Sequence, residues 1–109
     1  MKTPIVYLSG SIRNCRDGGR GWRQALIKNY SQVFEFLNPC RHNTSVSPQI
    51  VEQDKRDIEI ADAVLVHIQK YSAGTLIELY FAYAVCDKMV VVVAPIQFHD
   101  DQWIREIGE

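Results

Sequence analysis

Residues 63–94 read AVLVHIQKYSAGTLIELYFAYAVCDKMVVVVA, and this stretch decides the fold. Its two ends, residues 63–68 and 89–94, are apolar, largely β-branched runs that predict buried strands. Between them, residues 75–86 are predicted to form a helix that covers the sheet. Strands that are apolar throughout and are joined by a helix are typical of parallel sheets buried on both faces. The sequence therefore predicts an α/β fold.

The same alternation extends outward along the chain. The predicted elements are a strand over 5–8, a helix from near 21, a strand over 33–37, a helix over 47–61 that Ser47-Pro48 begins, and a short helix through 107 that Asp100 or Asp101 caps. At this length we expect one domain over residues 1–109, because chains usually divide only beyond roughly 250 residues. Ligands of such sheets bind beyond the carboxyl ends of the strands, so we expect the site after residues 8 and 68.

The charge of the chain disfavours binding to polynucleotides. A formal net charge of -1 provides no general basic field for nucleic acid phosphates. Four of the seven arginines nevertheless fall within one short segment: Arg13, Arg16, Arg20 and Arg23. We interpret this cluster as suited to a small anion.

The cysteines and the apolar segments indicate a cytoplasmic protein. Cys15, Cys40 and Cys86 are odd in number and lack C-x-x-C spacing, which disfavours a disulfide framework and a cysteine zinc site. The longest apolar stretch, residues 89–96, is far shorter than the ~20 residues of a membrane helix, and the amino terminus lacks a signal-peptide core. The histidines lack ligand spacing, so no metal site is predicted.

Glu78 is the only charged residue between Lys70 and Asp87. Its helix neighbours three and four positions away are uncharged, so no basic residue on its own helix can pair with it. Near the start of a helix, the macrodipole favours the ionised carboxylate. These features predict a nucleophile that stays charged. The alternative is a carboxylate paired with an arginine from elsewhere in the fold.

A second carboxylate of interest is Asp54, which shares a helical stripe with Ile50, Val51 and Ile58 that is predicted to face the core. Asp57 lies three residues further on. Burial and a neighbouring carboxylate both raise the pKa of a carboxyl group such as that of Asp54, and a carboxyl group with a raised pKa can act as a general acid. The alternative is that one of these residues caps a loop, which we favour for Asp57. If Asp54 and Glu78 converge, two carboxylates in unlike environments match the pattern used for glycosidic-bond cleavage.

Two loops near these carboxylates have anion-binding chemistry, namely Ser9-Gly-Ser-Ile-Arg13 and Ser72-Ala-Gly-Thr75. Glycines let backbone N–H groups approach a phosphate, and hydroxyls add donors. Each loop alone is a weak signal, because a glycine between strand and helix often serves turn geometry only. Tyr7 lies beside the first loop, where its hydroxyl either reaches a catalytic carboxylate or packs in the core.

Three motifs in this order carry a resemblance to a known family: Tyr7-Leu-Ser-Gly-Ser-Ile-Arg13, then Glu52-Gln-Asp54 with Ile60-Ala-Asp62, then Ser72-Ala-Gly-Thr-Leu-Ile-Glu-Leu79. Over nearly its whole length the chain resembles the nucleoside 2-deoxyribosyltransferase superfamily, which includes the 2′-deoxynucleoside 5′-phosphate N-hydrolases. The resemblance implies a flavodoxin-like (Rossmann-like) three-layer sandwich with four to five parallel strands. It also implies that Glu78 attacks C1′, that Asp54 lies near the leaving base, and that Tyr7 orients Glu78.

The resemblance further implies a substrate-binding set and an assembly. The residues that it assigns to the substrate and its 5′-phosphate are Gly10, Ser11, Ile12, Arg13, Ser72 and Gly74. Many free-nucleoside transferases have proline where Ser11 stands and an acidic residue near Ser72, so the two serines favour a monophosphate. A homodimer or higher homo-oligomer with shared active sites is implied, and no cofactor or metal is required.

The sequence therefore predicts an enzyme that releases the base of a small deoxynucleotide through a covalent intermediate on Glu78. One alternative is a transferase that exchanges bases between free deoxynucleosides. A different class of alternative is a non-catalytic nucleotide-binding module. A flavin-binding electron carrier is disfavoured, because the first loop lacks the run of hydroxyl residues that a flavin phosphate requires.

Overall fold

The computed structural model describes residues 3–10, 19–41, 47–68 and 73–94. Within these ranges the strands are β1 (Ile5–Gly10), β2 (Glu35–Leu37), β3 (Ala63–His67) and β4 (Met89–Val93), and the helices are α1 (Arg20–Tyr30), α2 (Ser47–Ile60) and α3 (Ala73–Tyr80). A 3-10 turn over Pro39–Arg41 follows β2, and a π-helical turn over Phe81–Val85 continues α3. Strands and helices alternate, and the predicted α/β fold is confirmed.

The described strands form one parallel sheet in the order β2-β1-β3-β4. From β1 the chain moves to one side to form β2 and then crosses to the other side to form β3. The direction of winding therefore reverses between β1 and β3, and a crevice opens there at the carboxyl ends of the strands. This is the edge at which the sequence predicts the site.

The main core lies on one face of the sheet. Tyr7, Val64 and Val90 are paired across β1, β3 and β4, so their side chains share this face. All three are buried together with Ile58 of α2 and Leu79 of α3. The helices α2 and α3 therefore cover the face of the sheet that carries Tyr7.

Two strand boundaries differ from the prediction by two residues, and β3 and β4 each end one residue earlier than predicted. β2 begins at Glu35 rather than at Val33, because the N–H groups of Val33 and Phe34 donate to the carbonyl of Tyr30 and close the end of α1. β1 continues to Gly10, since β3 pairs with it as far as the contact between Gly10 and His67. The predicted helix at 100–107 lies outside the described residues.

The predicted helix over 75–86 begins earlier and changes its winding. α3 starts at Ala73, and after Tyr80 the turns widen, so that the N–H of Cys86 donates to the carbonyl of Phe81 at 3.0 Å. Asp87 then adopts a left-handed conformation with a φ of 53° and ends the helix. The extra residue of a π turn shifts the side chains that follow around the helix axis.

Candidate active site

Glu78 lies on α3 over the carboxyl end of β1, where two hydroxyl groups hold it. Tyr7 Oη donates to Glu78 Oε2 at 2.8 Å, and Ser9 Oγ donates to Glu78 Oε1 at 2.7 Å. Tyr7 and Ser9 are two residues apart on one strand, so both side chains point to the same face of the sheet. Each carboxylate oxygen is thus fixed by its own donor from the central strand.

Burial raises the pKa of Glu78 above its ordinary value, and this is the largest influence on it. The hydrogen bonds from Ser9 and Tyr7, the positive charge of Arg23 and a hydrogen bond with Asp54 act in the opposite direction without cancelling it. The helix dipole alone would lower the pKa of Glu78. Desolvation raises it instead, and the sequence pattern did not reveal this influence. Burial and the neighbouring carboxylates also raise the pKa of Tyr7, which therefore stays a neutral donor.

Asp54 of α2 is half-buried and lines the same cavity as Glu78. A hydrogen bond between two carboxyl groups requires one of them to carry a proton, so Asp54 and Glu78 can share one. Asp57, in contrast, is only 2% exposed and accepts a hydrogen bond from Gln53 Nε2 at 3.2 Å. The structure thus brings Asp54, Glu78 and Tyr7 together, whereas Asp57 points into the core.

The cavity beside these carboxyl groups has a volume of about 470 Å³ and is largely apolar. Its apolar walls come from three elements and comprise Ile50, Val51, Ile58, Ile77 and Phe81. Val51 is 54% exposed, because this cavity, rather than the core, is what it faces. An apolar cavity with two carboxyl groups at one side suits a flat ring bonded to a polar group.

The two predicted glycines have different surroundings. A Cβ on Gly10 would lie 2.8 Å from Trp22 Cζ2 and 3.0 Å from the carbonyl oxygen of His67, so a side chain at this position would force these neighbours to shift. The Trp22 and His67 rings themselves pack with their centroids 4.6 Å apart. A Cβ on Gly74 would meet no atom within 4 Å, so Gly74 leaves open space beside the cavity that it lines.

Arg23 does not belong to an open anion-binding cluster, and the prediction was wrong for this residue. It is 0% exposed, and its guanidinium donates to the carbonyls of Leu8, Gly10 and Gly19. Charge counting along the sequence cannot distinguish a buried arginine from a surface one. Ser9 was also missed as a partner of Glu78, although its spacing of two residues from Tyr7 was a usable signal.

Four predicted substrate-binding residues, Ser11, Ile12, Arg13 and Ser72, lie outside the described residues. In the part of the chain that the structure describes, no three histidine, cysteine or acidic side chains gather as they would around a metal ion. No helix in that same part is long and apolar enough to cross a membrane.

Comparison with known proteins identifies the family and the fold. A model of the nucleoside 2-deoxyribosyltransferase-like family matches residues 3–97. A similar solved structure is that of the 2-desoxiribosyltransferase from Leishmania mexicana, with a TM-score of 0.73 and 18% identity. The similarity covers 84% of this chain but 64% of that one, and at this identity it establishes a shared fold. No curated protein sequence matches this chain significantly.

Gly10→Ala is expected to destabilise the protein by about 1–3 kcal/mol, as overpacking commonly does. The new Cβ meets the His67 carbonyl, which cannot retreat while β1 stays paired with β3. Urea denaturation measures the loss. Gly74→Ala is the matched control and should leave stability unchanged or slightly raised, because the position is open and helical. Equal losses in both variants would contradict the steric explanation.

The raised pKa of Glu78 predicts how stability depends on pH. A folded carboxyl with a raised pKa holds its proton to higher pH than the unfolded chain does, so its contribution is complete below the ordinary value of 4.5 and is lost as pH rises through the folded pKa. The Tm of the wild type relative to Glu78→Gln should therefore fall in calorimetry as pH rises above the ordinary value of 4.5. Glu52→Gln, at a side chain that is 61% exposed, should track the wild type throughout. A Tm difference between the wild type and Glu78→Gln that stays constant with pH would contradict the raised pKa of Glu78.

Proposed function

Because this chain belongs to the nucleoside 2-deoxyribosyltransferase-like family, we propose that it cleaves the N-glycosidic bond of 2′-deoxynucleoside 5′-monophosphates and releases the base. One observation carries this proposal. The Glu78 carboxylate is held by two hydroxyls at the edge of an apolar cavity that Asp54 also lines. A nucleophile, an acid and a binding surface for a flat base thus lie within one site.

In the first step, a Glu78 oxygen attacks C1′ while the bond from C1′ to the base nitrogen breaks. The electron pair of that bond leaves with the base, which takes a proton from the Asp54 carboxyl. Tyr7, Ser9 and Asp54 each occupy one lone pair of the Glu78 carboxylate, which has about four, so one is left for the attack. Without a 2′-hydroxyl the oxocarbenium-like transition state is easier to reach, which favours deoxyribose.

In the second step, water attacks C1′ of the glycosyl ester and gives its proton to the Asp54 carboxylate. The bond from C1′ to Glu78 breaks, and the carboxylate is regenerated between its two hydroxyl donors. Two displacements at C1′ retain its configuration. No cofactor or metal enters this scheme, since both steps are proton transfer and displacement chemistry of the two carboxyl groups.

The preference for a 5′-phosphate depends on the sequence rather than on described contacts. We propose that Gly10, Ser11, Ile12 and Arg13, together with Ser72 and Gly74, bind the phosphate. Gly10 follows the Glu78 partners on β1, and Gly74 lies one helical turn before Glu78 on α3. The two described members of this set, Gly10 and Gly74, thus lie on the strand that holds Glu78 and on the helix that carries it.

Base exchange between free deoxynucleosides is the second candidate. It is favoured by the matching family and by the similar protein from Leishmania mexicana, both of which are named for deoxyribosyl transfer. The same covalent intermediate serves this reaction, with a second base in place of water. The two reactions differ only in which molecule resolves the glycosyl ester.

We also propose that the protein forms a homodimer or higher homo-oligomer with shared active sites. α3 and the π turn leave large apolar side chains exposed, with Ile77 at 69%, Tyr80 at 56% and Val85 at 66%. Ile77 also lines the cavity, so a second copy packed on this face would cover the cavity opening. Cys40 and Cys86 are free thiols, which suits the proposed cytoplasmic location.

The reaction is tested by chromatography of the four 2′-deoxynucleosides and their 5′-monophosphates after incubation with the protein. Base release from monophosphates is expected, with none from Glu78→Ala and a rate about 10²- to 10⁴-fold lower from Asp54→Asn. Glu52→Gln changes an exposed glutamate on the same helix as Asp54 and should retain full activity. Addition of a different free base distinguishes transfer from hydrolysis.

Two outcomes would overturn these assignments. Undiminished base release by a folded Glu78→Ala variant would exclude Glu78 as the nucleophile. Tight binding of deoxynucleotides by the wild type without any base release would instead indicate a nucleotide-binding module.

The assembly is tested by light scattering coupled to size-exclusion chromatography. The wild type is expected at twice the monomer mass or more, and Tyr80→Glu at a lower mass because it places a charge on the exposed apolar face. Tyr30→Glu is the matched control, since Tyr30 is 49% exposed at the end of α1. A monomeric wild type would contradict the proposed assembly.

A further inference from the structure

The carboxyl end of β1 extends beyond the end of β2, its neighbour on one side. β2 ends at Leu37, opposite Tyr7, whereas β1 continues for three more residues to Gly10. The carbonyl of Pro4 accepts from Glu35 at the start of β2, while the carbonyl of Ile5 accepts from Asp62 on the opposite side. Carbonyls alternate in this way along a strand, so those of Leu8 and Gly10 point toward the β2 side, past its end.

Arg23 occupies the place of the missing strand. Its Nε donates to the carbonyl of Leu8 at 3.2 Å, and its Nη2 donates to the carbonyl of Gly10 at 2.9 Å. Its Nη1 donates to the carbonyl of Gly19, immediately before α1, at 2.6 Å. The guanidinium carbon also lies 4.6 Å from the centroid of the Trp22 ring. One planar cation therefore joins the end of β1 to the start of α1.

We propose that Arg23 is a positioning residue that fixes the carboxyl end of β1 and, through it, the Tyr7 and Ser9 hydroxyls that hold Glu78. The Leu8 carbonyl lies between these two residues in sequence, and the Gly10 carbonyl follows them. A shift of this segment would move both donors relative to the carboxylate. The inference rests on the proposed role of Glu78 as the nucleophile.

Arg23 also contributes charge to the site. The polar groups that act on Glu78 come from three elements: Tyr7 and Ser9 on β1, Arg23 on α1, and Asp54 on α2. Among these groups Arg23 is the cation, and its charge lowers the pKa of Glu78 against the effect of burial. Asp57 acts on the neighbouring Tyr7 and adds negative charge. Removing the charge of Arg23 should therefore raise the pKa of Glu78 further.

The test compares Arg23→Gln with Arg23→Lys. Glutamine removes the charge and most of the donors, whereas lysine keeps the charge but cannot donate to three carbonyls from a planar fork. Lys28→Gln is the matched control, because it removes one positive charge from an exposed position on the same helix. Titration of the Glu78 carboxyl by ¹³C NMR, assigned with Glu78→Gln, gives its pKa whether or not the protein has activity. Base release gives kcat and KM.

Arg23→Gln is expected to raise the pKa of Glu78 and to lower kcat by about 10- to 100-fold, as misplaced catalytic groups do. Arg23→Lys should keep the pKa close to that of the wild type and still lose kcat, with KM changed less. Lys28→Gln should change neither. If Arg23→Gln does not fold, the loss of kcat in Arg23→Lys remains the test.

The inference is overturned by a folded Arg23→Lys with wild-type kcat, or by a folded Arg23→Gln in which the Glu78 pKa is unchanged. A lower Tm alone, with both of those quantities unchanged, would show that Arg23 serves only stability. If the wild type itself releases no base, the proposed function fails, whereas the NMR titration still decides whether Arg23 acts on Glu78.

Discussion

The hydrogen bonds from Tyr7 and Ser9 to Glu78 are the contacts on which the geometry of the site depends. A carboxylate removed from water is costly unless donors replace its hydration, and here both donors come from the central strand. Because the two hydroxyls are two residues apart on β1, the pleat directs them to one face, and α3 must present Glu78 to that face. This requirement adds a polar constraint to the rotation of a helix that Leu79 also packs against the core.

The side chains and the backbone carbonyls of β1 make different contacts. Its side chains at Tyr7 and Ser9 hold the carboxylate, while its carbonyls at Leu8 and Gly10 accept from the buried guanidinium of Arg23. Buried backbone carbonyls need partners, and β2 is too short to supply them. A strand neighbour would satisfy these carbonyls equally well but would bring no charge. An arginine satisfies them and also places a positive charge where it favours the ionised form of Glu78.

Much of the fold was predictable, because apolar strands and the isolated charge of Glu78 are local patterns in the sequence. Ser9 was assigned to a loop because β1 was predicted to end at residue 8, and its actual end depends on pairing with β3, which is a long-range property. Arg23 was grouped with nearby arginines because position along the chain does not reveal whether a side chain is buried. The direction of the Glu78 pKa shift also depended on desolvation, which only the assembled core determines.

Burial and hydrogen bonding together determine where the site keeps its negative charge. The apolar walls that suit a flat base also make it unfavourable for Asp54 and Glu78 to be ionised at once. The hydroxyls of Tyr7 and Ser9 donate to Glu78, which favours the ionised form of Glu78 and, in the proposed mechanism, leaves the proton to Asp54. The proposed first step needs this distribution, with a charged nucleophile and a protonated acid. After that step Glu78 is an ester and carries no charge, so Asp54 can lose its proton without a second anion beside it.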